Sequence, residues 1–596
     1  QMTDWITRRF GSKPAGFWVA ERIWEPYFAS IYGRCGLEYT TLDNTHFQYA
    51  GVPEDRIWGS WATEDQGTGV RVLPIDFNLR YMIPFHDPQE TIDYIGGLKD
   101  RGVTAVTYAD DGEKFGVWPG TKKWVYDDGW LERFFTRLGD NADWIEIVLP
   151  GDYVRDNPPT GHVYLPTASY KEMSEWALPA KAQVRLAHAE KSLEGDDRFT
   201  ELRPFVRGGF WRNFLTKYPE SHNMYRRMLM VSGEVEAARG KPGCEDAVRA
   251  LYRAQCNCGY WHGVFGGLYL NFLRRAIYEH LIRAEAIVSG DEAKTAITDF
   301  DGDGRDEAIL RNGSQVLFVK PDLGGAAFEY DCIPKAFNLF DTFTRREEAY
   351  HHEIPGEEEN SGEGHESIHD GIRSKEADIR RYLHYDPYRR LSFIDHFLSA
   401  AEPFEAFTTG AYDELGDCVD SPYELIRGKN DPTPGILLAR DGTIRCGADT
   451  VPVRVNKRYA LAGEGGGFAV DYRLEFERHA AGVLFGVEIN LGLQSGRDDA
   501  CVISIPGLTL DDPHFASTGI VKDVGSVEFS IGWMPLRVSL SFSRNAELRR
   551  FPVETVSLSE GGLERTYQNT CLVPVWNLEK TPDNRYDFTI TMEVMS

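Results

Sequence analysis

Glu21 follows the apolar run GFWVA (16–20), and Asp111 follows TAVTYAD (104–110). If both runs are parallel strands, the two carboxyl groups stand just past strand C-terminal ends, which gather at one rim of α/β folds where ligands bind. Two carboxyls facing each other across a cleft can break a glycosidic bond, one attacking the anomeric carbon while the other protonates the leaving oxygen. The alternative is that each merely caps the helix after its strand. Trp18, Trp24, Trp118 and Trp124 lie near these carboxylates in sequence, and Trp176, Trp211 and Trp261 come later. An indole is either core or a flat platform for the C–H face of a sugar ring. Beside strand-end carboxylates, in a chain with no phosphate-binding signature, the set favours a neutral polyol. A third constellation, Asp299-Phe-Asp301-Gly-Asp303-Gly, spaces carboxylates as a Ca²⁺ loop would. It also reads as an acidic turn closed by Asx hydrogen bonds. Cys256 and Cys258 form a C-x-C pair with no second pair at zinc-ribbon spacing.

The elements that must position these groups fall into three kinds. Up to about residue 155, the runs GFWVA, LEYTTL (37–42), GVRVLPI (69–75), TAVTYA (104–109) and WIEIVL (144–149) predict buried strands. Between them lie helical patterns such as PYFASIYGRCG, PQETIDYIGGLKDRG and GWLERFFTRLGDNA, the order of a parallel sheet with crossover helices. From about 170 to 287 the period becomes helical, as in SEWALPAKAQVRLAHAEKSL, SHNMYRRMLMVSGEVEAARG and LRRAIYEHLIRAEAIV. After 290 come short alternating segments, including SQVLFVK, GGFAVDYRLEFER, GVLFGVEINL, SVEFSIG, LRVSLSF and YDFTITMEV, which predict an antiparallel β-sandwich. The acidic, Gly-rich stretch 353–367 inside it predicts a mobile surface loop. No internal repeat is visible.

At 596 residues the chain is too long for one core, so two or three domains are expected. The net charge of -27 disfavours nucleic acid and anionic membrane surfaces. No apolar stretch approaches the roughly 18–20 residues of a membrane helix. Nine scattered cysteines read as reduced thiols, which favours a reducing, cytoplasmic setting. The first residue is Gln1, and the opening MTDWITRRFG lacks a signal peptide's apolar centre.

The segments GFWVAERIWEP (16–26), TYADDGEKFGVWPGT (107–121) and CNCGYWHGVFGGLYL (256–270), in that order, resemble the later motifs of glycoside hydrolase family 57, in its 4-α-glucanotransferase and α-amylase branch. LPIDFNLRYMIPF, YLPTASYKEMSEWALPAK and VRGGFWRNFLTKYPESHNMYRRMLMVS extend the likeness, which covers nearly the whole chain. The resemblance implies an α/β plus all-β architecture: a (β/α)7 catalytic barrel over 1–165, a helical subdomain completing the active site over 166–287, and a β-sandwich over 288–596. It implies that Glu21 is the nucleophile and Asp111 the acid/base, and that Trp18, Glu113, Trp118, Tyr260, Trp261 and His262 line the substrate cleft. It also supports the calcium reading of Asp299, Asp301 and Asp303, as a structural ion and not one required for the chemistry. Two departures stand out. Relatives commonly carry Asn-Asp-Ala where this chain has Asn257, Cys258 and Gly259, and a thiol is a poorer partner for sugar hydroxyls. Relatives also begin with a His-Gln-Pro strand absent from this sequence, so the resemblance implies an incomplete barrel, N-terminal strands missing. The expected activity is retaining transfer between α-1,4-glucans and maltooligosaccharides with some hydrolysis; the alternatives are an α-amylase and a non-catalytic glucan-binding protein. Oligomerisation with further copies is left open. Polysaccharide deacetylation would need an Asp and two His metal ligands, and no H-x-x-x-H spacing sits beside a strand-end Asp.

Overall fold

The computed structural model describes residues 2–354, 376, 378–426, 434–463, 465–559, 561–578 and 583–595. Most of the acidic stretch 353–367 lies outside the described residues.

Near the N-terminus, β1 (Gly16–Trp18), β2 (Tyr39–Asp43), β3 (Trp61–Asp65) and β4 (Thr68–Ile75) form a sheet of order β1-β2-β4-β3. β1, β2 and β4 are parallel, with Trp18 opposite Thr41 and Asp43 opposite Ile75. β3 is an antiparallel addition that the sequence reading missed, joined to β4 through Gln66 (φ 51°) and Gly67 (φ 78°). Two positive φ values in a two-residue loop match the right-handed twist of a hairpin. The parallel strands end together, so their C-terminal ends share one rim. Helices Phe28–Arg34, Asn44–Tyr49, Phe77–Met82, Pro88–Asp100 and Trp130–Asp140 follow or flank them. Val19, Trp24, Leu42, Phe47, Val72 and Leu165 pack one core here.

Two expected strands are not built. Among the described residues, 104–109 pair with the sheet through a single parallel bridge, Ile75–Thr107. The run 144–149 pairs with nothing among the described residues, and Ile147 and Leu149 are 73% and 70% exposed. An apolar run becomes a strand only when a neighbour takes its backbone hydrogen bonds.

The helical part contains Pro219–Ala237, Cys244–Ala254 and Asn271–Val288, closed over Met224, Val231, Val248, Leu251, Ile277 and Leu281. The predicted helix 174–193 is split into Lys171–Trp176 and Ala180–Ser192, because Pro179 cannot donate to the turn before it. Beyond it lie a five-stranded antiparallel sheet, consecutive from Lys294 to Asn338, and an eleven-stranded antiparallel sheet between Ile394 and Met595. One core joins both sheets, with Leu310 and Leu317 from the smaller beside Val455, Phe468 and Val487 from the larger. Buried ion pairs dock the helices onto the smaller sheet: Arg227 meets Glu285 at 2.6 Å, Glu329 at 2.7 Å and Asp331 at 2.9 Å. Among the described residues no helix is long and apolar enough to cross a membrane.

Candidate active site

Four carboxylates follow the rim strands and their neighbour, and their surroundings sort them. Asp43 caps helix Asn44–Tyr49 through Thr45, and Asp76 caps Phe77–Met82 by accepting from the Leu79 N–H at 2.8 Å. Glu21 and Asp111 cap nothing: neither side chain bonds a helix terminus. Both are half-buried and free to face a ligand.

Glu21 sits in a turn after β1 with φ 52° and ψ 21°, and Arg22 follows at φ 47°. Left-handed backbone at a residue with a side chain costs about 1–2 kcal/mol, so the surroundings must hold it. Arg22 N–H donates to Val19 O at 2.9 Å, and Ser169 Oγ donates to Glu21 O at 2.5 Å. The fully buried His46 ring lies between the carbonyl oxygens of Arg22, 2.8 Å from Nε2, and Asp43, 3.0 Å from Nδ1. A backbone pair between Trp24 and Ala168 brings Ser169 and Tyr170 over the turn. Each oxygen of the Glu21 carboxylate then accepts one bond: Tyr170 Oη donates to Oε2 at 3.0 Å and Asn257 Nδ2 to Oε1 at 3.1 Å. Burial and the charge of Glu21 raise the pKa of the Tyr170 hydroxyl well above its ordinary value, which keeps it a donor.

Asp111 is fixed from behind by its neighbour. Its N–H donates to Asp110 Oδ1 at 2.9 Å, and Asp110 Oδ2 accepts from Lys114 Nζ at 2.6 Å. From there a buried ladder of charge runs beneath the site. Arg80 Nε lies 3.7 Å from Asp110, Arg80 Nη1 lies 2.8 Å from Asp43, and Arg22 Nε lies 3.9 Å from Asp43. Three cations and two anions, all nearly sealed from solvent, thus link the residue after Glu21 to the residue before Asp111. Burial opposes ionisation of Asp43, but Arg80 and Arg22 outweigh it and hold its pKa below the usual range. At the other end burial dominates, pushing Asp110 up and Lys114 down despite their pairing.

A cavity of about 360 Å³ opens beside Glu21, lined among others by Trp18, Trp211, Asn257, Tyr260 and Trp261. Trp18 is 44% exposed and forms a lip, with the Arg22 guanidinium 5.6 Å from its ring centre. Trp261 is stacked on Trp176 at 6.0 Å, and Tyr260 is tethered by its hydroxyl to Ala254 O at 2.8 Å. Glu113 is exposed, near enough to the Cys258 thiol to help raise its pKa together with Glu21. Of the expected site residues, Asp111, Glu113, Trp118 and His262 are not among those lining this cavity. Trp118 is 5% exposed, packed between Phe85 and Phe265, with the Lys114 ammonium 5.4 Å from its ring. His262 is buried: Nδ1–H donates to Gly266 O at 2.7 Å, and Nε2 accepts from Tyr350 Oη at 2.9 Å. Burial pushes its pKa down to about 4, so it is a neutral interior strut with no nitrogen left for a sugar.

Residues 1–166 match the model of glycosyl hydrolase family 57. Residues 209–288 and 299–590 match the middle and C-terminal domains of the alpha-amylase/4-alpha-glucanotransferase group. The chain is 38% identical to a 4-alpha-glucanotransferase of Thermococcus kodakarensis over 96% of its own length and 82% of that protein. With an Alpha-amylase 1 of Dictyoglomus thermophilum the figures are 35%, 99% and 84%. It superposes on the crystal structure of 4-alpha-glucanotransferase from Thermococcus litoralis with a TM-score of 0.84 at 36% identity, covering 99% of this chain and 83% of that one. The chain belongs to glycosyl hydrolase family 57.

Within this family 57 chain, the acidic constellation is arranged differently from the expected Asp299, Asp301 and Asp303 triad. Asp299 and Asp301 come together with Glu307, whereas Asp303 groups with Glu307 and Asp322. The ammonium of Lys320 sits among them, 2.6 Å from Asp301, 3.1 Å from Asp303, 2.8 Å from Glu307 and 3.4 Å from Asp322. Asp299 is occupied as an Asx turn, accepting from Gly302 N–H at 2.7 Å and Gly304 N–H at 3.1 Å. The donor set suits a hard cation, but Lys320 already supplies its charge. Sequence reading assigned no site role to Ser169 and Tyr170, which lie in YLPTASYKEMSEWALPAK, to Asn257, which lies in CNCGYWHGVFGGLYL, or to Asp110, whose position beside Asp111 was the available signal.

Proposed function

We propose that this chain breaks and re-forms α-1,4-glucosidic bonds by double displacement, with Glu21 as nucleophile and Asp111 as acid/base. In this reading 1–165 contribute the strands of the (β/α)7 catalytic barrel, 166–287 complete the site, and 288–596 correspond to the β-sandwich. The observation that carries it is Glu21 itself. Its carboxylate stands at a cavity rimmed by indoles, held by a donor on each oxygen in a strained turn that no structural duty explains.

One oxygen of Glu21 attacks the anomeric carbon while the glycosidic oxygen leaves with the proton of Asp111. Asp111, now a carboxylate, takes a proton from the acceptor hydroxyl, whose oxygen displaces Glu21 from the same carbon. The anomeric configuration is therefore retained. A sugar acceptor yields transfer and water yields hydrolysis. The largely aromatic wall of the cavity favours a sugar over water, so transfer between α-1,4-glucans and maltooligosaccharides is the main activity and α-amylase-type hydrolysis the lesser one.

Incubating the full-length protein with one maltooligosaccharide and resolving products by length tests this, since chains longer than the starting sugar require transfer. Glu21→Gln and Asp111→Asn should each remove nearly all turnover, and azide should rescue Glu21→Gly with inverted product. Substantial activity in either single variant would sink the pair.

A further inference from the structure

Cys258 directly follows Asn257, which lines the cavity that holds Glu21. Its backbone is clamped. The turn Asn257–Tyr260 is tied down by Ser221 Oγ, which donates to Tyr260 O at 2.5 Å. Gly259 presses on helix Asn271–Val288 so closely that a Cβ there would sit 2.5 Å from Ile277 Cδ1. Gly267, at φ 54°, abuts the same turn, where a Cβ would meet Trp261 O at 2.3 Å and Cys258 O at 3.1 Å. On this fixed frame Cys258 Sγ lies 3.2 Å from Asn257 Oδ1, and Asn257 Nδ2 lies 3.1 Å from Glu21 Oε1.

An amide presents either its oxygen or its nitrogen to a neighbour, and only the nitrogen suits a carboxylate. A thiol that donates to Oδ1 selects the sense in which Nδ2 faces Glu21. We infer that Cys258 is a positioning residue for the nucleophile: its S–H orients the Asn257 amide, which in turn holds Glu21 Oε1 in the attacking rotamer. This rests on the reading of Glu21 as nucleophile. Although Cys258 is partly open to solvent, the thiol keeps the proton the role requires, because partial desolvation first, then the negative charge of Glu21, pushes its pKa up, with Cys256 and Glu113 adding to the shift. Cys258 thus acts on the protein's own carboxylate and not on sugar hydroxyls.

The test is steady-state turnover of a maltooligosaccharide by the full-length protein. For Cys258→Ala, kcat should fall roughly tenfold with KM changed less than about twofold, short of the roughly hundredfold that a 1 Å misplacement costs. Cys258→Ser, whose hydroxyl also donates, should recover most of the loss. In an Asn257→Ala background the Cys258→Ala change should cost nothing further, since the two act in series. A raised KM at unchanged kcat would make Cys258 a sugar contact, and equal losses in Ala and Ser would make it packing; either overturns the inference, as does wild-type kcat in Cys258→Ala. Retained activity in Glu21→Gln would instead defeat the nucleophile assignment, a separate outcome.

Discussion

His396 carries a buried positive charge whose removal should be measurable as a pH-dependent loss of stability. The ring is fully buried, with Nδ1 2.8 Å from Glu414 Oε2 and Nε2 3.1 Å from Glu488 Oε2. Burial works against the charge, but hydrogen bonds donated by the ring to both carboxylates, together with their negative charge, win and raise its pKa from the ordinary 6.5 to about 9. Glu488 tells the same story from the other side, its pKa driven down by Arg390 and His396 against its burial. A folded-state pKa above the unfolded one means that the stabilisation is complete below about pH 6.5 and is lost as pH rises through about 9. The shift is worth about 3 kcal/mol. For a unit of this size that corresponds to a melting-temperature change of roughly 5 °C. Scanning calorimetry of wild type and His396→Gln between pH 6 and 10 reads it. The variant should melt lower at pH 6.5, and the gap should close towards pH 10 as the wild-type ring loses its proton. The difference between the proteins cancels the titration of other groups. A gap that is absent at pH 6.5, or constant across the range, would refute the claim that a charged imidazole stabilises the large sheet.

Two further outcomes follow from other clusters of charge. Lys320→Met leaves Asp301, Asp303, Glu307 and Asp322 without their cation, so the variant should melt lower in chelator and recover with calcium, by about 2.7 kcal/mol at a hundredfold excess over Kd; the wild type should respond less, and a variant indifferent to calcium would show that the carboxylates do not form a cation site. Arg80→Met removes the middle of the ladder under the active site and strands Asp43 and Asp110, a change that costs about 3–5 kcal/mol for a buried pair; activity should fall even at temperatures where circular dichroism shows the variant folded, and an active, equally stable variant would show that the ladder does not set the carboxylates.

The placing of Glu21 after a strand was legible because an apolar run broken by a lone carboxylate is a local signal, and β1, β2 and β4 sit where the runs GFWVA, LEYTTL and GVRVLPI lie. β3 was missed because WATED is half polar and half-buried along its length, so it reads as a turn until its partner is known. The run WIEIVL shows the reverse error, apolar in sequence yet exposed, since strand formation depends on a neighbour that local text does not specify. Trp118 and His262 mark the same boundary inside the site. An indole that stacks on a sugar and one that packs on Phe85 are the same residue type near the same carboxylates, and burial alone separates them. The spacing of Asp299, Asp301 and Asp303 predicted one triad, whereas Glu307 and Asp322 enter the clusters and Lys320, 13 residues beyond Glu307 and hydrogen-bonded to it, was invisible to spacing rules.

The energetics of the Glu21 turn tie the helical part to the surroundings of Glu21. Two successive left-handed residues, Glu21 and Arg22, would not persist in a turn left to local forces. One set of restraints comes from the sheet, through Val19 and His46; the other comes from residues 168–170 and from Asn257, which reach the turn only once the helices are docked. The carboxylate oxygens are divided between Tyr170 and Asn257, both on that second side. The sheet therefore fixes where Glu21 stands, while the helical part fixes which way its carboxylate points. Loosening the dock at Arg227 should then degrade the chemical step before it disturbs the sheet, because the groups that aim Glu21 move with the helices.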